Sequence, residues 1–502
     1  MTTHWHAPLL EHLIQFSKQK PLSLHVPGHR NGDVYRQLTD VLPHTEYEDL
    51  IKYMGKLATI DVTELSHTDD LHDPETVIKD AQDATAKLYG ADHSYFLVGG
   101  STAGNLALIL SICNTNDYII VQRNVHKSII NGCKLAGANV VFLNPEYEPI
   151  TNIAVVPSVE TVRQALIKYP QAKAVFLTNP NYYGISADLT DYVSLVHHHH
   201  IPLLVDEAHG AHYGIAPFAP TSALSVGADA VVQSMHKTLP AFTMGAVLHV
   251  QGQYLQQENI QQQLSIIQSS SPSYVIMASI DAARATLESY GDTWFLQTYH
   301  IVNKLTNWLN KEKLCLRVEQ LASEESFYKQ DPYRMLLFDH SNTVTGHQLQ
   351  KMFESKMIWV EMSNEKYVVF VWHMNATKQQ CELIQHAILE IHQEISRINT
   401  SQQCISNSNI STLKNPIDLA VSNAVKLQRL PSQRQVEVIS LLDAAGRQSA
   451  EMVIPYPPGI PILYEEEIIQ APQLDYIIGL NNSGARFQGS STISNGMIKV
   501  FV

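Results

Sequence analysis

In the stretch SMHKTLPAFT, Ser234 to Thr243, a serine, a histidine and a lysine follow directly on the apolar run ADAVVQ. A lysine at a strand end is ordinarily a solvated surface residue. Lys237 becomes chemically interesting only if other parts of the chain supply partners for a buried amine. Three further strand ends carry residues of the right types. GGSTAGN follows SYFLV, QRNVHKS follows YIIV, and DEAHGAHYG continues from PLLV.

Each of these has an ordinary reading beside its chemical one. Gly100, Ser101 and Thr102 stand where a glycine-rich turn opens a helix, and the free N–H groups there suit a phosphate; such turns also serve plain chain reversal. His126 falls near the start of the next helix, where a hydrogen-bonded structural histidine is commonplace. Asp206 at its strand end caps a turn, or else is the fixed negative charge that holds a ring nitrogen protonated. Taken together the four strand ends form a set. An aldehyde cofactor with a pyridine ring and a phosphate needs a lysine to bind its aldehyde and an acid for its nitrogen. It also needs a phosphate cradle and something flat against its ring. Lys237, Asp206, Gly100 to Thr102 with Ser234, and His126 fill those places.

The elements that must position them are legible as a pattern. Between residues 80 and 250, the apolar runs SYFLV, YIIV, NVVFL, AVFLT, PLLVD and AVVQS alternate with helical stretches such as PETVIKDAQDATAKLYG and SVETVRQALIKYP. Short apolar runs separated by helices read as buried parallel strands in βαβ units. The expected fold is α/β with a largely parallel sheet, and ligands in such sheets collect at the carboxyl ends of the strands. A long helix is expected near 285–312. LRVEQL, YRMLLFDH and KYVVFVWHM then read as a smaller α+β domain. The polar segment at 399–415 reads as a linker, followed by a helix near 416–430 and the strand RQVEVISLLDA. The expected divisions are an N-terminal segment at 1–75, a cofactor domain at 76–300, a small domain at 301–398, and a C-terminal domain at 416–502. His197 to His200 point in different directions on a helix, so they read as a solvated helix end and no metal site is expected.

Composition narrows the classes. The 502 residues exceed one ordinary core, and 45% hydrophobic with 16% charged residues describes a globular chain. Thirty-four lysines and arginines against 48 acids give a charge of −14, which argues against nucleic acid and suits a cationic small molecule. The five cysteines, Cys113, Cys133, Cys315, Cys381 and Cys404, are scattered without CxxC spacing, as reduced thiols in a cytoplasm are. MTTHWHAPLLEHLIQF lacks the pattern of a signal peptide, and no apolar run is long enough to span a membrane. A soluble cytoplasmic protein is expected.

SMHKTLPAFT, DEAHGAHYG and RNVHKS, with HVPGHRNG, DVTELSHTDDLHDPE, SSSPSYVIMASID and the closing IPYPPGIP, resemble the ornithine/lysine/arginine decarboxylases in their order along the chain. Those are pyridoxal-phosphate enzymes of the aspartate-aminotransferase fold, type I, and the chain resembles their short Gram-positive form. The resemblance implies Lys237 as the Schiff-base lysine, Asp206 on the pyridine nitrogen, His126 stacked on the ring and Ala208 on its other face. It implies Ser101, Thr102, Ser234 and His236 around the phosphate, His209 in the same cofactor site, and Ser270 reaching the phosphate from a partner subunit. The unit expected is therefore at least a homodimer with shared sites. It implies decarboxylation of a basic amino acid, arginine before lysine or ornithine, with Lys237 or His236 returning a proton to the α-carbon. Asp69, Asp70 and Glu467 are candidates by type for the cationic tail, although the DDL segment could equally cap the PETVIKDA helix. The chain departs from relatives at Met244 and at Glu465-Glu466-Glu467. Other reactions on the same fold, such as transamination or lyase chemistry, and a silent homologue that acts by binding, stay open on this reading.

Overall fold

The structure, a computed structural model, describes residues 5–42, 46–321, 327–402, 420–427, 434–456, 461–482 and 485–502. All six expected runs form strands of one eight-stranded sheet. Across the sheet the order is His93–Leu97, Ala246–Val250, Ala230–Gln233, Leu203–Asp206, Ala172–Thr178, Tyr118–Gln122, Asn139–Leu143 and Val425–Lys426. The five strands from Ala230–Gln233 to Asn139–Leu143 pair in parallel. They are almost wholly buried, as strands covered by helices on both faces must be, which is why they read as continuous apolar runs.

One strand went unread. Ala246–Val250 inserts between His93–Leu97 and Ala230–Gln233 and is antiparallel to both. SYFLV therefore runs in the common direction but bonds to no parallel neighbour. The cause is the short path from Lys237 back into the sheet: a tight reversal yields an antiparallel strand, whereas a parallel return needs a long crossover. That reversal ends on Met244, in the left-handed region at φ 78°, whose carbonyl accepts the Gly100 N–H at 2.9 Å. Gly100 is itself left-handed at φ 74°, a conformation glycine adopts without strain.

The 38-residue helix Tyr274–Lys311 begins earlier than expected and runs through the boundary placed at residue 300. It carries the chain to a four-stranded antiparallel sheet ordered Met362–Ser363, Tyr367–Val371, Arg334–Asp339, Leu316–Val318. The helices Gly346–Ser355 and Lys378–Gln402 complete this unit. The second of them runs past the expected start of the linker at 399, and residues 403–415 of that linker lie outside the described residues. The helix expected near 416–430 is not what 420–427 form. Val425–Lys426 instead extends the main sheet by pairing with Asn139–Leu143, where an edge strand offers its unpaired N–H and C=O groups.

At the C-terminal end Val436–Ser440 pairs with Met497–Phe501 over a small core that includes Leu441, Val453, Leu463, Ile477 and Ile498. Of IPYPPGIP, Ile454–Tyr456 forms a strand against Arg486–Gln488, and residues 457–460 lie outside the described residues. The first helix, Pro8–Lys18, belongs with the large domain's core: Leu9 and Leu13 share one buried cluster with Ile78, Phe96 and Tyr274.

Candidate active site

Lys237 sits in the short helix Met235–Thr238, directly beyond the carboxyl end of Ala230–Gln233. Its Nζ lies 3.0 Å from His209 Nε2. On the far side of that imidazole, Arg334 Nη2 donates to Nδ1 at 3.0 Å. A guanidinium only donates, so Nδ1 must accept. Burial drives the His209 ring strongly toward its neutral form, and the charges of Lys237 and Arg334 push the same way. The proton of the neutral ring is then on Nε2, facing the Lys237 amine. Burial lowers the Lys237 amine below its ordinary range, Asp206 opposes the shift and Arg334 adds to it. Gly184, left-handed at φ 81°, makes room for Arg334: a Cβ there would meet the arginine's stem at 2.7 Å.

Asp206 ends its strand fully buried. Its Oδ1 accepts from Ala208 N at 3.1 Å and its Oδ2 from Asn105 Nδ2 at 3.0 Å. A carboxylate has about four acceptor sites, so the group retains capacity for another donor. Asn105 also donates to Ser128 Oγ at 2.9 Å, and Ser128 Oγ lies 2.8 Å from His126 Nδ1. His126 is the N-cap of the helix Lys127–Ala136, accepting from Ser128 N, and its ring is exposed. Asp206, Asn105, Ser128 and His126 thus form one continuous hydrogen-bonded row along the sheet edge.

The residues expected around a phosphate are brought to the same edge. Gly100, Ser101 and Thr102 form the first turn of the 13-residue helix Gly100–Ile112, which no side chain caps. Among the described residues Ser234 Oγ is buried without a partner, and so is Thr238 Oγ1, one residue beyond Lys237. His236 Nδ1 donates to the Gly245 carbonyl at 3.0 Å. Two orphaned hydroxyls beside an open helix start suit an anion with several acceptor oxygens. The buried amine, the buried acid and the small side chain of Ala208 suit the remainder of a phosphorylated pyridine aldehyde. Ser270 is exposed on the loop between the helices Gln257–Ile267 and Tyr274–Lys311.

The three acids expected for a cationic tail already have partners, Asp70 only one. Asp69 accepts four backbone N–H bonds, from Asp70 and Glu75 through Oδ1 and from Thr76 and Ile78 through Oδ2, at 2.9 to 3.0 Å. It caps the helix Val77–Tyr89 from a left-handed backbone at φ 69°. Asp70 accepts from His72 N at 2.8 Å within its own turn. Glu467 is held by Arg123 through both oxygens, at 2.7 and 2.6 Å. Its neighbours follow suit: Glu465 pairs with Lys134, and Glu466 accepts from Gln448 at 2.9 Å. Glu465 and Glu467 therefore fasten the C-terminal domain to the large one, while Glu466 bonds within it. His197 of the histidine run is likewise not simply solvated, since its Nε2 lies 2.9 Å from Asp229 Oδ2. Among the described residues no cluster suited to a metal occurs.

Burial raises the Asp69 carboxyl, but its four N–H donors outweigh burial and leave it below its ordinary value. A depressed carboxyl stabilises the fold above its unfolded value, near pH 4, and loses that contribution as pH falls through the folded value. Asp69→Ala is therefore expected to cost about 1–2 kcal/mol near neutral pH. Thermal melts of the two proteins should converge in acid, and equal melting points at pH 7 would remove the capping role.

Asn105, Ser128, Tyr182 and Arg334 were not picked out from the sequence. Asn105 had a signal, as a lone amide in the apolar helix STAGNLALIL. Arg334 had a fainter one, as a cation opening the apolar run RMLLF.

A mostly parallel sheet with this amine, acid and open helix start on one edge defines the class: a pyridoxal-phosphate enzyme of fold type I. The chain belongs to the Orn/Lys/Arg decarboxylase family. Residues 7–325 match that family's major domain and residues 415–500 its C-terminal domain. It is 32% identical to an arginine decarboxylase of Bacillus subtilis, over 98% of this chain and 97% of the relative. It is 37% identical to the uncharacterized protein YaaO of the same organism, over 99% and 98%. The lysine decarboxylase of Francisella novicida shares the fold, with a TM-score of 0.80 at 19% identity, over 100% of this chain and 82% of that one. The chain is an amino-acid decarboxylase. No helix among the described residues is long and apolar enough to cross a membrane.

Proposed function

We propose that this chain decarboxylates a basic amino acid, arginine in preference to lysine or ornithine, with Lys237 as the amine that holds pyridoxal phosphate. The observation that carries the reading is the buried Lys237 amine, lowered below its ordinary range by burial and 3.0 Å from His209 Nε2, on the edge that also presents Asp206. Similarity to an arginine decarboxylase over nearly the whole chain supports the choice of substrate.

Pyridoxal phosphate, when bound, supplies an aldehyde for amines and a ring that takes up electrons from the α-carbon as carbon dioxide leaves. The chain's residues do the rest. A lowered Lys237 pKa makes the nucleophilic free amine easier to reach. Asp206, kept in place by Asn105, would hold the pyridine nitrogen protonated. His126 would cover one ring face, and Ala208 leaves space on the other. Ser101, Thr102, Ser234 and His236 would surround the phosphate. Lys237 or His236 would deliver the proton that replaces the carboxyl group.

A homodimer is part of the proposal, with Ser270 of a second copy reaching the phosphate. Leu22 is 82% exposed and Leu24 89%, with Val41, Leu50 and Tyr53 also largely exposed on the N-terminal segment. So much open apolar surface on one segment suits burial against another chain. A cytoplasmic location belongs to the same reading and follows from the scattered cysteines.

Purified protein with added pyridoxal phosphate, offered arginine, lysine and ornithine separately, is expected to release mainly agmatine. Cadaverine or putrescine as the main product would move the substrate assignment. A keto acid without amine would replace decarboxylation by transamination.

A further inference from the structure

Asp69 is filled by four backbone donors and Glu467 by Arg123, and Tyr182 leads to a further acid near the reactive amine. The Lys237 Nζ lies 5.8 Å from the centroid of the Tyr182 ring, and that ring lies 4.3 Å from His209. The Tyr182 hydroxyl donates to Glu361 Oε1 at 3.0 Å. Glu361 is thus one phenol ring removed from the reactive amine. It is exposed, at the start of the small domain's edge strand, and no lysine or arginine pairs with it among the described residues. Its charge is felt at the centre: burial lowers Lys237, His236 and His373, and Glu361 opposes that shift at each.

Glu361 also lines a cavity of about 440 Å³ with Trp359, Trp372, Phe370, Met357 and His373. The Thr238 backbone, one residue beyond Lys237, favours the protonated form of His373 against the effect of burial, so this cavity borders the lysine's own turn. A single acid among aromatic and apolar walls matches the tail of a basic amino acid. Its methylene stem lies against apolar surface, and its charged head takes the carboxylate and an aromatic face.

We infer that Glu361 reads the positive charge of the substrate's side chain, with Trp359 and Trp372 as the walls of that subsite. The inference deepens the proposed function and rests on it. It assigns specificity to the small domain, none of whose residues had been singled out for the substrate.

The test compares wild-type enzyme with Glu361→Gln and Tyr182→Phe, with arginine as substrate and citrulline, its uncharged counterpart, as competitive inhibitor. Glu361→Gln is expected to raise the KM for arginine by about 30-fold, the scale of truncating one partner of a hydrogen-bonded charge pair that the bound substrate itself buries. Citrulline inhibition and the absorbance of the lysine-bound cofactor should stay as in wild type. Tyr182→Phe keeps the carboxylate and should retain most of the preference for arginine over citrulline. An unchanged KM in Glu361→Gln overturns the inference. So does an equal loss for arginine and citrulline in both variants, which would make Glu361 only a support for Tyr182. Wild-type enzyme that forms no amine from any basic amino acid overturns the functional reading first, and the subsite with it.

Discussion

An enzyme with alanine in place of Lys237 is expected to form no covalent link with pyridoxal phosphate and to lose amine production by at least about a thousandfold. The reasoning is geometric. Lys237 is the amine brought against His209 at 3.0 Å, and His209 in turn is fixed by Arg334. Removing the amine removes the nucleophile and one of the two groups able to return a proton to the α-carbon. Asp206, His126 and the open helix start are untouched, so cofactor should still bind, weakly and without the covalent band. Borohydride reduction followed by peptide mapping reads this directly, with wild type labelled on the peptide that carries residue 237. A reduced adduct in Lys237→Ala would show that another lysine holds the aldehyde. Lys127, next to His126, would be the first to test. Loss of activity with the covalent band intact would equally remove Lys237 from the role proposed for it.

The parts of this site legible in the sequence are those whose function is written in local order. Lys237, Asp206, His126 and Gly100 each follow an apolar run that had to be a buried strand, so their shared edge was implied by the alternation of runs and helices. Ala246–Val250 escaped because its direction depends on how tightly the chain turns after Lys237, which no periodicity records. The acids were the least legible. Asp69, Asp70 and Glu467 are the right residue type for a cationic tail, but type does not show whether a carboxylate is already taken. Four backbone donors take Asp69, and an arginine 344 residues distant in sequence takes Glu467. Arg334 and Glu361, both of the small domain, lay hidden for the converse reason. Their relation to Lys237 arises only when the small domain's sheet packs against the large domain.

Breaking the Arg123–Glu467 pair is expected to be the most destabilising single change at the junction of the large and C-terminal domains. Arg123 is 4% exposed at its side chain and Glu467 13%. The guanidinium also donates to the Ile462 carbonyl at 3.0 Å and lies 5.1 Å from the Tyr464 ring, which stacks on Phe142 at 4.1 Å. Tyr464 completes the loop by donating its hydroxyl to the Arg123 carbonyl. In Glu467→Ala the arginine is left buried without its counter-charge, at a cost of about 3–5 kcal/mol. Replacing both partners by methionine removes the stranded charge and should recover much of that loss, because a buried pair contributes little net over well-packed apolar groups. A double-mutant cycle in thermal unfolding measures the difference as a coupling energy. Arg123 also stands three residues before His126 on the loop leaving the strand Tyr118–Gln122, so a displaced arginine moves the ring proposed to cover the cofactor. Glu467→Ala should therefore lose activity at temperatures where it is still folded, and the double variant should regain part of it. If the single variant melts like wild type, the pair is screened by water and the C-terminal domain is held by its apolar contacts alone. If it melts low but keeps full activity, the junction is structural and His126 does not depend on it.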